Sequence, residues 1–87
     1  MKIWEFTFRL LVDEDRNYDD WIEQLFELGG DDSHPGIHGG NAYVTFTREA
    51  PSLQAAVLSA RELVGQVGGL HIVRCEIPES QLAEWAA

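Results

Sequence analysis

Residues 42 to 77 constrain the fold of this chain more tightly than any other stretch. Ala42 to Thr47 alternates, with Val44 and Phe46 on one side and Tyr43, Thr45 and Thr47 on the other. Pro51 and Ser52 then open a segment in which Leu53, Ala56, Val57, Ala60, Leu63, Val64 and Val67 recur at helical spacing. Gly68-Gly69 stops that helix, and Leu70 to Ile77 reads as another strand, ended by Pro78. A strand, a helix and a strand in succession form a crossover unit, for which a right-handed connection is expected.

The preceding residues repeat the pattern. Ile3 to Val12 places Trp4, Phe6, Phe8, Leu10 and Val12 on one side of a long strand, and Ile3, Glu5, Thr7, Arg9 and Leu11 on the other. Asn17 is suited to cap a helix carrying Tyr18, Trp21, Ile22, Leu25, Phe26 and Leu28, and Gly29-Gly30 ends it. Ser33 to His38 reads as a short edge strand, since Pro35 is tolerated only at an edge or bulge. Gly39-Gly40-Asn41 turns the chain back into the next strand. The expected fold is therefore α+β: a ferredoxin-like βαββαβ two-layer sandwich, with a four-stranded antiparallel sheet and two helices on one face. Residues 1–78 form this domain, and residues 79–87 a C-terminal tail or short helix bearing Leu82 and Trp85.

Along the last strand, strict alternation turns His71, Val73, Cys75 and Ile77 toward the helices. It turns Ile72, Arg74 and Glu76 to the opposite face. Val73 is thereby assigned to the core together with Val57, and Cys75 is expected to behave as a small buried hydrophobe.

Charge limits the partners. The 87 residues carry fifteen Asp and Glu against six Lys and Arg, a formal net charge of -9. Such a surface repels phosphate, so neither nucleic acid nor an anionic membrane is expected to bind. The single cysteine, the absence of a long apolar run and an N-terminus unlike a signal peptide suggest a cytoplasmic protein.

The motifs that would carry chemistry are incomplete. Asp13, Asp15, Asn17 and Asp19 alternate like the first ligands of a calcium loop, but Tyr18 and Gln24 stand where that loop needs Gly and Glu. A solvated turn followed by a helix cap accounts for them. His34 and His38, with Asp31 and Asp32 nearby, form a candidate metal or ligand set on the loop through Asn41. His71 and Cys75 lie four apart on one strand, about 13 Å along it, too far for one to activate the other. No phosphate-binding glycine motif occurs, and no cofactor is expected. Arg9, Tyr43, Thr45 and Arg74 map to the sheet face away from the helices and, with Trp85, form a candidate interaction face. Cross-strand pairing with Glu5 and Glu76 is the simplest role for the two arginines.

Asp31-Asp32, the run from Tyr43 through Thr47-Arg48-Glu49 to Ala50, Ser52-Leu53, the run from Ala56 to Ala60, and Ile72-Val73-Arg74 together resemble a bacterial pattern. It is that of the N-terminal domain of small, actinobacterial-type helix-turn-helix proteins, some described as antitoxins. The likeness covers most of residues 3 to 77. It implies the fold and an accessory, oligomerising or sensing role. No recognition helix falls within the 87 residues, so DNA binding is not carried over.

The expected function is a non-enzymatic protein-interaction or oligomerisation module, with a homodimer as the first expectation. A small-ligand or metal sensor using the loop from His34 to Asn41 is the alternative. A small enzyme built on Asp31, Asp32 and a histidine is the third reading.

Overall fold

Alternation along residues 2 to 12 becomes the long strand β1 (Lys2–Val12), with Trp4, Phe6, Phe8 and Leu10 buried. The structure, a computed structural model, describes residues 1–85, the last two by backbone alone. After β1 come α1 (Tyr18–Glu27), β2 (Ser33–His38), β3 (Asn41–Ala50), α2 (Leu53–Gly65), β4 (Leu70–Glu76) and α3 (Glu79–Trp85). The fold is α+β, one four-stranded antiparallel sheet in the order β2-β3-β1-β4 with three helices among the described residues.

Local chemistry explains the element ends. Asn17 Oδ1 accepts from Asp19 N–H at 2.8 Å, and Ser52 Oγ accepts from Ala55 N–H at 3.1 Å, so each long helix begins on a side-chain cap. Gly39 and Gly40 have φ of +58° and +82°. Two successive positive φ values suit the two-residue turn whose twist matches a hairpin, here joining β2 to β3.

Trp21 and Leu25 from α1 meet Leu53, Ala56, Ala60, Leu63 and Val64 from α2 over the inner side chains of the sheet. Both helices therefore cover the same face. Phe6, Phe8 and Phe46 form an aromatic cluster with centroids 5.5 to 5.8 Å apart. Phe26 and Leu28, read as part of the buried stripe of α1, are instead exposed. They lie off the narrow arc through Tyr18, Trp21, Ile22 and Leu25 that touches the sheet.

Strand β4 corrects the sequence reading of its first half. Leu10 pairs with Ile72, but Arg9 pairs with Arg74, so Val73 is an extra residue in a β-bulge. Beyond the bulge the expected sides hold: Arg74 and Glu76 lie opposite Arg9 and Thr7. Before it they are reversed: Ile72 packs on the core, and His71 sits opposite Leu11 on the outer face. Val73, assigned to the core, is 64% exposed. Cys75 pairs with Phe8 but is exposed on this edge strand rather than buried.

Only residues 7 to 12 of β1 pair with β4. On the unpaired stretch, Glu5 N–H donates to Gln81 Oε1 of α3 at 2.8 Å. No helix among the described residues is long and apolar enough to cross a membrane.

Candidate interaction face

The outer parity of the strands, with no described helix packed over it, makes a continuous surface. Strand β1 contributes Ile3, Glu5, Thr7, Arg9 and Leu11; β3 contributes Tyr43, Thr45, Thr47 and Glu49. Strand β2 adds His34, Gly36 and His38, and β4 adds His71, Arg74 and Glu76. All three histidines of the chain therefore lie on this face. Its charges are two arginines against three glutamates, a formal -1, which leaves -8 of the -9 elsewhere.

At its centre Thr7 and Thr45 share a hydroxyl–hydroxyl hydrogen bond of 2.8 Å across β1 and β3. The Arg9 guanidinium stands 5.7 Å from the centroid of the Tyr43 ring. That ring lies over Gly36, where an added Cβ would come within 2.6 Å of Tyr43 Cζ. Glycine is thus what lets the tyrosine lie down across β2. Arg9 Nε donates to Glu76 Oε1 at 3.2 Å, and Arg74 Nη1 faces Glu76 Oε2 at 3.7 Å. An open depression of about 590 Å³ runs between Arg9, Arg74, His38 and Asn41. A smaller one of about 230 Å³ adjoins it beside Thr7, Tyr43 and Thr45.

The structure brings Arg9, Tyr43, Thr45 and Arg74 together, as their strand parity implied. It also carries His34 and His38 onto the same face, one at each side of Gly36, because Ser33 to His38 is a regular strand there. Asp31 and Asp32 are not gathered with them. Asp31 is an exposed turn residue. Asp32 accepts from Arg48 Nε at 2.7 Å and from Nη2 at 3.0 Å, on the helix side of the sheet. Among the described residues, no group of three or more His, Cys, Asp or Glu is placed to hold a metal ion. Trp85 ends α3, and its side chain lies outside the described residues.

The pairing expected of the two arginines with Glu5 and Glu76 holds for Glu76, while the partner of His71 escaped the sequence reading. Glu76 answers both arginines at once, whereas Glu5 makes no ion pair with Arg9 among the described residues. The His71 ring, turned toward the helices by strict alternation, is instead exposed on the outer face, with Nε2 2.9 Å from Asp13 Oδ1. Arg48 carried a usable signal: a cation on the parity of Phe46, which faces the core, needs a partner.

Cys75 sits beside this face, and its thiol pKa is raised, first by burial and then by the neighbouring Glu76 carboxylate. At pH 8 its thiolate is scarcer than in a free cysteine. Iodoacetamide is therefore expected to alkylate it more slowly than a cysteine peptide. Glu76→Gln should recover part of that rate, and mass spectrometry of timed aliquots measures both.

Comparison with protein-family models, curated proteins and solved structures gave no match.

Proposed function

We propose that this domain is a non-enzymatic interaction module of ferredoxin-like βαββαβ build, acting in the cytoplasm, which pairs with a second copy through its open sheet face. The element order through β4 and the strand order β2-β3-β1-β4 support that build. The likeness to N-terminal domains of bacterial helix-turn-helix proteins supports an accessory, assembling role. The observation that carries the reading is the charge distribution: a nearly neutral face, with exposed Ile3 and Leu11 at its ends, on a chain of -9. Two copies meeting elsewhere would oppose strongly negative surfaces. Two copies meeting here bring apolar side chains together and can exchange Arg and Glu contacts about a two-fold axis.

Size agrees. Four strands ~4.8 Å apart and about eight residues long span roughly 500 Å² in projection. Side chains standing off that plane add to this projected area, and stable interfaces bury ~800 Å² per partner.

Sedimentation velocity from low to high micromolar concentration is expected to show a concentration-dependent dimer. Raising the salt should tighten it, because repulsion between two like-charged chains is screened. Thr45→Asp plants a carboxylate at the centre of the face on both copies and is expected to weaken pairing at least ~10-fold. A strict monomer at high micromolar concentration, with the fold intact by circular dichroism, would refute the reading.

A further inference from the structure

Arg9 and Arg74 are direct partners across β1 and β4. Like charges in that position repel, and the pairing is destabilising in itself. One carboxylate, Glu76, lies between them, with one oxygen toward each arginine. A single negative charge thus serves two cations, at the edge of a depression that also presents His38, Asn41 and the apolar Val73. Among the described residues the terminal nitrogens of Arg9 make no hydrogen bond, and neither does any nitrogen of Arg74. The site therefore holds spare planar donors where the rest of the chain is acidic.

We infer that this depression binds a small organic monocarboxylate, its carboxylate held by Arg9 and Arg74 and its apolar body resting on Val73. Glu76 shows the chemistry in place: its carboxylate accepts from Arg9 Nε and stands 3.7 Å from Arg74 Nη1, and an incoming carboxylate competes with it for the same two cations. The net charge selects the valence. A chain of -9 repels a phosphate dianion about twice as strongly as a monoanion at the same point. Val73 stands out toward solvent because the β-bulge ejects it, which supplies an apolar surface next to Arg74. This binding goes beyond self-association and does not depend on it, since every residue involved belongs to one copy.

The test is a titration of the full chain with sodium benzoate, followed by the arginine Nε–Hε NMR signals. It is run at a protein concentration where sedimentation shows monomer, so its failure is separate from failure of pairing. Saturable shifts at Arg9 and Arg74 are expected, with a dissociation constant of about 1–10 mM for a ligand of this size in an open site. Glu76→Gln removes the internal competitor and is expected to tighten binding about 3-fold. Arg74→Gln should weaken it several-fold, and the Arg9→Gln/Arg74→Gln double variant should abolish it. Absence of saturable shifts up to 50-fold excess over that range, weaker binding to a folded Glu76→Gln, or an equal response to inorganic phosphate would each overturn the assignment.

Discussion

Phe6→Ala is expected to lower stability by about 3–5 kcal/mol. Phe6 is fully buried at the middle of the central strand, with its ring centroid 5.5 Å from Phe8 and 5.7 Å from Phe46. Those rings and the helices above them close one core, so the walls of the resulting cavity have little freedom to collapse. For an 87-residue domain, total stability is roughly 4–13 kcal/mol at the usual value per residue. The substitution therefore removes a large share of it. Urea denaturation should show the midpoint falling sharply, while Leu58→Ala, at an exposed position of α2, should stay within about 0.5 kcal/mol of the parent. A loss below about 1 kcal/mol for Phe6→Ala would mean that the aromatic cluster is not the centre of the fold.

Arg48→Ala is expected to cost about 2 kcal/mol, more than any change at the outer-face arginines. Arg48 grips Asp32 with two nitrogens, reaches Ser59 Oγ of α2 at 3.2 Å and stands 5.0 Å from the centroid of the Phe46 ring. The pair is only 16% and 28% accessible, so removing the cation leaves a poorly hydrated carboxylate behind. Partial exposure places the cost below that of a fully buried pair. Arg48→Lys should recover little, since an ammonium cannot reproduce the two-pronged contact. A double-mutant cycle with Asp32→Ala measures the coupling, expected at about 1–2 kcal/mol. The Arg9–Glu76 pair, about 40% accessible on both sides, should yield under ~1 kcal/mol in the same experiment. Equal couplings at the two sites would contradict this ranking.

The difference between these two ion pairs shows where sequence reading succeeds. Period-2 alternation located β1, β3 and the outer position of Arg9, Tyr43 and Thr45, because a regular pleat makes side and parity the same thing. Paired glycines marked the end of α1 and the hairpin, whereas α2 ends at Gly65, before Gly68-Gly69, which lie in the turn into β4. Parity failed at Val73, where one inserted residue separates two halves of β4 with opposite phase. Each half alternates correctly by itself, and nothing local in His71-Ile72-Val73-Arg74 says where the phase changes. Asp32 looked like a ligand because it lies two residues before His34 in sequence. Its partner lies sixteen residues away on β3, a pairing that exists only once β2 and β3 are zipped together. The outer face was thus legible on β1 and β3, while the sides of His71 and Ile72 and the contact joining Arg9, Arg74 and Glu76 depended on the register between strands.

The amide of Gln81 has a consequence for how copies of this protein can meet. A strand with an unpaired rim is a template on which another chain can add by main-chain bonding, the first step toward open-ended fibres. Residues 2 to 6 of β1 would offer such a rim beyond the reach of β4. With Gln81 holding the Glu5 N–H, an arriving strand must first displace that bond. Growth by edge addition is therefore disfavoured at this point of the sheet.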